Sequence, residues 1–269
     1  MTSTTPVLAF HEGGRPDGPA VLLLHGFTGS KEDWHDVERR LSGQYRTVAI
    51  DLPGHGESAS VGVKWFAMAT CAGAVIDVLD HLKISTCDLI AYSMGGRLAI
   101  HLLIHFPDRF GRTVLESTTP GIEDGVEREA RRELDDKRAR EIETTSLSAF
   151  LMRWYDQPMF AGMRTHGGRF ERLLQRRLRG DPTGLSRSLR LMGTGSQESY
   201  WDLLPEINQE IRLVVGQFDG KFRVLADRMS RLCPHAEVRI IPGSGHTVHF
   251  EQPDRFCTEV ESFLLSRTS

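Results

Sequence analysis

The sequence predicts an α/β fold, a mostly parallel sheet covered by helices on both faces, with a helical insertion in its second half. Three observations lead there: short apolar runs that end in glycine-rich turns, helix-period segments between them, and one long stretch that holds no such run. The runs are rich in Val, Ile and Leu and lack polar alternation, as strands buried on both faces require.

In chain order the strand candidates are "AVLLLHGFTG" from residue 20, "RTVAIDLPGHG" from 46, "CDLIAYSMGG" from 87, "RTVLEST" from 112, "IRLVVGQFD" from 211 and "AEVRIIPGSG" from 236. Helical periodicity falls at 65–82, 95–106, 222–232 and 254–266, the last led by Pro253, a residue pre-set for a first helical turn. Strand alternating with helix builds a parallel sheet. Functional residues in such sheets gather at the carboxyl ends of the strands, where the glycine turns lie.

Residues 121–205 are different. "EDGVEREARRELDDKRAREIE", "SAFLMRWYDQPMF" and "GRFERLLQRRLRG" are helical and heavily charged. The expected division is therefore a core of 1–120 and 206–269, with 121–205 as a helical cap over the strand ends. Within 160–195, eight arginines (164, 169, 172, 176, 177, 179, 187 and 190) face only Glu171 and Asp181. Such a cation excess beside a pocket favours an anionic ligand.

The 33 Lys+Arg and 36 Asp+Glu of the 269 residues leave a net charge of −3, which argues against nucleic-acid binding over the whole surface. The N-terminus, "MTSTTPVLAF", lacks the basic start and apolar stretch of a signal peptide. "AVLLL" is far too short to span a bilayer. Cys71, Cys87, Cys233 and Cys257 form no CxxC pair, and reduced core thiols are expected rather than disulfides or a metal site. These readings place the protein in the cytoplasm, away from membranes.

Ser93 lies in Ala91-Tyr92-Ser93-Met94-Gly95, close to the G-x-S-x-G nucleophile elbow, with alanine in the first glycine position. Small residues suit the tight strand-to-helix turn, which exposes the hydroxyl at a helix N-terminus. Asp219 ends a late strand and His246 follows the last one, which completes the order serine, acid, histidine. His249 is a competing base, nearer the helix led by Pro253. "LLLHGFTGS" can turn its amides toward the serine, so that the Phe27 and Met94 N–H groups form an oxyanion hole. His25 reads as a structural hydrogen-bonder and "DLPGHGES" as loop geometry.

These features together resemble the α/β-hydrolase superfamily almost end to end. Within it, "LHGFTGSKEDW", "YSMGGRLAIHL", "LESTTPGI", "EREARRELDD", "WYDQPMF", "GLSRSLRLMGTGSQESYW" and "FDGKF" resemble the lyases of menaquinone biosynthesis called 2-succinyl-6-hydroxy-2,4-cyclohexadiene-1-carboxylate synthases. The resemblance implies an α/β-hydrolase core with a helical cap. It also implies elimination of pyruvate from a cyclohexene that carries succinyl, carboxylate and enolpyruvyl groups, with no cofactor. Ser93, activated by His246 and Asp219, would then act as a base. The family's anion-binding arginines match Arg97, Arg131 and Arg177, with Arg132 or Arg179 as alternatives to the latter two. Tyr92 and Trp154 match residues that shape its pocket. The implied partner is a small polycarboxylate substrate. The competing readings are a carboxylesterase or carbon–carbon bond hydrolase on the same fold, and a ligand receptor without catalysis.

Overall fold

The computed structural model describes residues 7–266; the first six residues, part of the N-terminal stretch read above for a signal peptide, lie outside them. The chain opens with β1 (Phe10–Gly14), β2 (Ala20–Leu24), α1 (His35–Leu41), β3 (Arg46–Ile50), α2 (Met68–His81) and β4 (Cys87–Tyr92). Then come α3 (Met94–His105), β5 (Phe110–Glu116) and five helices in succession: α4 (Gly125–Thr144), α5 (Leu147–Asp156), α6 (Ala161–Arg164), α7 (Gly167–Arg177) and α8 (Pro182–Met192). The chain returns through β6 (Ile211–Gly216), α9 (Gly220–Leu232), β7 (Ala236–Ile241), α10 (Val248–Glu251) and α11 (Pro253–Leu265).

All six apolar runs form strands, and they pair in parallel. The sheet holds a seventh strand that their pattern does not announce. β1, "FHEGG", runs antiparallel to β3 at the edge, in the order β1-β3-β2-β4-β5-β6-β7. An edge strand need not be buried on both faces, so β1 can form with Phe10 as its one large apolar side chain.

Alternation along each inner strand supplies both cores, because successive side chains point to opposite faces. Leu22, Leu24, Val48, Ile50, Leu89, Leu115 and Leu213 pack with α2, α3 and α9. Val21, Leu23, Ala49, Ile90, Val114 and Val214 pack with α1 and α11. A third apolar cluster, including Ile142, Phe150, Tyr155, Phe160, Leu173 and Leu189, belongs to the helices between β5 and β6. Tyr200, Trp201 and Leu204, at the end of that stretch, pack into the main core instead. Among the described residues no helix is long and apolar enough to cross a membrane, and the four cysteines are buried and unpaired.

β3 lies on one side of β2 and β4 on the other, so the strand order reverses between β2 and β4. A crevice opens at the carboxyl ends of strands that diverge in this way. The turns after both strands meet there.

Candidate active site

Ser93 directly follows β4 and precedes α3. Its φ is 50°, a strained conformation for a residue with a Cβ, costing about 1–3 kcal/mol and sustained only when neighbours over-determine it. They do. The Ser93 N–H donates to the Glu116 carbonyl at 2.9 Å, and its own carbonyl accepts from the Thr118 hydroxyl at 2.8 Å. α3 also lies tight against β2, since a Cβ on Gly95 would run into the Leu24 carbonyl.

His246 and Asp219 reach the same point from the loops after β7 and β6. The His246 Nε2 lies 3.3 Å from Ser93 Oγ, and its Nδ1 lies 2.8 Å from Asp219 Oδ2. With Nδ1–H donated to the carboxylate, Nε2 is left as the acceptor facing the hydroxyl. His249 points elsewhere. Its Nδ1 is 2.7 Å from Glu116 and its ring packs edge to face on Tyr92, so that it lines the cavity without a hydrogen bond to Ser93. Met94 is the first residue of α3, so its N–H has no acceptor within the helix, and Phe27 lies on the facing turn. Both residues line the cavity with Ser93. His25 accepts the Leu52 N–H and His55 the Thr28 N–H, so these two imidazoles brace the loop beneath Phe27. Burial keeps His55 neutral, with its pKa pushed down to about 3.

The cavity in front of Ser93 has a volume of about 640 Å³ and is walled by Phe27, Trp154, Phe160, Leu189 and Met192. Tyr92 stands behind it, its hydroxyl 2.9 Å from Thr247 Oγ1. Trp154 meets Phe27 edge to face at 4.9 Å between ring centres.

The arginines divide into two kinds. Arg97, one helical turn after Ser93, is buried, and its fork donates to the Gln197 side-chain carbonyl at 2.9 Å and the Met192 carbonyl at 2.7 Å. Both acceptors are neutral. Burial, and then the charge of Arg131, pull its pKa down to about 10, so it stays a cation with no ion-pair partner among the described residues. Arg131 donates to Asp135 at 2.8 Å. Arg138 lies over the Trp154 ring and donates to Gln157 at 3.0 Å. Arg97, Arg131 and Arg138 all line the cavity, with the Asp135 carboxylate within electrostatic reach of each.

Arg177 also lines the cavity, but its charge is already answered. Its Nη2 donates to Asp33 at 2.7 Å and its Nε to the Tyr155 hydroxyl at 3.2 Å, both buried. Burial alone would raise the Asp33 carboxyl; the Arg177 charge and hydrogen bond outweigh it and hold the pKa at about 2. Arg132 and Arg179 point away from the cavity. The expectation that the 160–195 arginines signal a ligand needs correction. Arg164 pairs with Asp156, Arg169 with Asp36, Arg176 with Asp33 and Glu32, and Arg190 with Asp136 and Glu143. Their acids lie outside 160–195, where a local count cannot find them.

The Asp33–Arg177 pair joins the segment after β2 to α7. Substituting Arg177 by methionine is expected to destabilise the fold by about 3 kcal/mol, the low end for breaking a buried pair, because Asp33 keeps only the more distant Arg176, at 3.6 Å, as a counter-charge. The double variant Arg177→Met/Asp33→Leu should recover most of this in urea unfolding. The pH dependence has a definite sign. Asp33 has its folded pKa depressed to about 2 against roughly 3.9 when unfolded, so its contribution is present above about pH 4 and lost as pH falls toward 2.

Two residues of the site were given no role in the sequence reading. Gln197, in "GTGSQ", orients Arg97 from a hundred residues away. Arg138 lies seven residues beyond Arg131, on the same helical stripe as Asp135; that spacing was its available signal.

The family profile described as the alpha/beta hydrolase family matches residues 21–259. The 2-succinyl-6-hydroxy-2,4-cyclohexadiene-1-carboxylate synthase of Enterobacter sp. (strain 638) is 30% identical over 240 residues, covering 89% of either chain. A Bacillus subtilis protein that carries the same name provisionally is 39% identical over 249 residues, 92% of this chain and 90% of its own. The structure of MenH from S. aureus superposes with a TM-score of 0.89 at 30% identity, covering 96% of this chain and 97% of that one.

Proposed function

The chain belongs to the alpha/beta hydrolase family and, within it, to the 2-succinyl-6-hydroxy-2,4-cyclohexadiene-1-carboxylate synthases, and from that premise we propose how its residues carry out the elimination. It is a lyase of menaquinone biosynthesis that releases pyruvate from 2-succinyl-5-enolpyruvyl-6-hydroxy-3-cyclohexene-1-carboxylate. The roles of individual residues follow from the chemistry.

His246, oriented by Asp219, draws the proton from Ser93, and the serine oxygen removes the ring proton next to the succinyl carbonyl. The electron pair moves onto the carbonyl oxygen. The Phe27 and Met94 N–H groups stabilise that enolate as they would a tetrahedral intermediate. Collapse of the enolate re-forms the carbonyl, shifts the ring double bond and breaks the carbon–oxygen bond to the enolpyruvyl group. His246 returns the proton to the leaving group, which becomes pyruvate. No water is consumed and no acyl-enzyme forms.

One observation favours this reading over ester hydrolysis: a buried arginine four residues after the serine, held by neutral acceptors and facing the cavity. A guanidinium fork matches a carboxylate, and the substrate is a polycarboxylate. Residues 121–205 act as the cap that supplies the other cations, Arg131 and Arg138, with Arg177 at the cavity edge held in its ion pair with Asp33, while Tyr92 and Trp154 shape the apolar walls. The four buried thiols suit a reducing, cytoplasmic compartment.

The deciding experiment is incubation with the enolpyruvyl substrate in ¹⁸O-labelled water, followed by mass analysis. Pyruvate release without hydrolytic incorporation of the label supports the elimination. Efficient cleavage of simple esters, with no action on this substrate, would make the protein an esterase. Arg138→Ala is expected to raise KM about tenfold, the low end for a hydrogen bond to a charged group, with little change in kcat. Steady-state pyruvate release checks it.

A further inference from the structure

The loop that carries His246 is held by a residue with no part in the chemistry described above. Glu251, at the end of α10, is buried, and its carboxylate faces back along the chain. Its Oε2 accepts the Gly245 N–H at 2.9 Å and its Oε1 the Thr247 N–H at 3.3 Å. These are the backbone N–H groups of the residues on either side of His246. The remaining N–H, that of His246 itself, donates to the Met159 carbonyl at 3.3 Å, in the helical stretch between β5 and β6. The same stretch closes over the carboxylate, since a Cβ on Gly162 would overlap the Glu251 side chain. The ring of Phe160, between these two, meets His246 edge to face at 5.8 Å.

We propose that Glu251 is a positioning residue for His246, one that fixes the imidazole by clamping both flanking amides and ties its placement to the seating of the cap segment 159–162. This rests on the reading of His246 as the base that activates Ser93. Three successive N–H groups are anchored, two by one carboxylate and one by the cap, so the imidazole cannot turn on its loop without breaking charge-assisted hydrogen bonds. A carboxylate suits this task. A glutamine presents one carbonyl and would turn an NH₂ toward the second amide.

The carboxylate also acts through space. It lies within electrostatic reach of His246 on its own loop and of Glu116 on β5, whose partner is His249. Burial raises the Glu251 pKa first of all, with Glu116 adding to it, while the two amide hydrogen bonds and then His246 oppose the rise. A negative charge beside an imidazole favours the imidazolium.

The test is pyruvate-release kinetics of Glu251→Gln across pH, beside Gly162→Ala, the double variant and His246→Ala. In Glu251→Gln, kcat should fall roughly 10- to 100-fold, the scale of a small displacement of a catalytic group. KM should stay within about twofold, and the acidic limb of the kcat/KM profile should move to lower pH. Gly162→Ala, which displaces the carboxylate and keeps its charge, should also lower kcat. The double variant should cost no more than the worse single one, as coupled sites do. A wild-type kcat in Glu251→Gln overturns the proposal, and so does a fall in kcat with an unmoved acidic limb, which would reduce Glu251 to a packing role. If Glu251→Gln does not fold, a wild-type kcat in Gly162→Ala overturns it alone. Full turnover by His246→Ala would instead remove the base assignment on which the proposal stands.

Discussion

Substitution of Ser93 by alanine is expected to lower pyruvate release by about 10²–10⁴-fold in kcat, the span that a positioned general base supplies, while KM changes little. The split follows from the division of labour in the site. In the proposed mechanism Ser93 Oγ takes the proton in flight, whereas the guanidinium groups on α3 and α4 hold the carboxylates. Removing an interaction made only in the transition state lowers kcat without loosening the ground state. Rapid mixing of the wild-type enzyme with substrate should show no burst, since no covalent intermediate accumulates. A Ser93 adduct trapped during turnover of this substrate would overturn the base mechanism. Steady-state KM and a single-turnover trace together separate the two cases.

Substitution of Arg97 by alanine should remove about 2–5 kcal/mol of transition-state binding, as when one partner of a buried charge pair is lost. That corresponds to roughly 30-fold to several-thousand-fold in kcat/KM. Arg97→Lys should recover only part, because a point charge cannot reproduce the fork. The contrast with Arg177 sharpens the expectation. Arg97 donates to the neutral Gln197 and Met192 carbonyls, so its charge is open to a substrate carboxylate. Arg177 is neutralised by Asp33. Variants of Arg97 should therefore show mainly in activity and those of Arg177 mainly in stability. Near-wild-type turnover by Arg97→Ala would return Arg97 to a structural role.

What could be read from the sequence was whatever the chain states locally. The inner strands announced themselves because burial on both faces demands uninterrupted apolar runs; of the two edge strands, which escape that demand, β7 was legible from Val238, Ile240 and Ile241, and β1, with Phe10 as its one apolar side chain, was not. The meeting of Ser93, Asp219 and His246 was legible because each lies in the turn or loop that follows a strand, at the carboxyl edge where such sheets gather functional residues. The relation of His249 to Glu116 could not, since it depends on which way a side chain turns after α10 begins. Gln197 and Arg97 are a hundred residues apart, and no pattern in either segment names the other. The arginines of 160–195 misled for the same reason: Asp33, Asp36 and Asp136 are neighbours in space alone.

Those pairs bear on how such a protein can diversify. The helices between β5 and β6 form one continuous excursion, so a different excursion could replace them without touching the sheet or the serine, and a new substrate range would come with it. The seams set the terms of the exchange. Arg169 and Arg177 meet Asp36 and Asp33, and the Tyr155 hydroxyl meets that of Thr28 at 2.8 Å. A transplanted segment that lacked these arginines would strand acids in the recipient, and the His246 N–H would lose the Met159 carbonyl with the old segment. The part of the chain that is free to vary in length is thus bound in its chemistry, and lineages that exchange it must change both sides of the seam together.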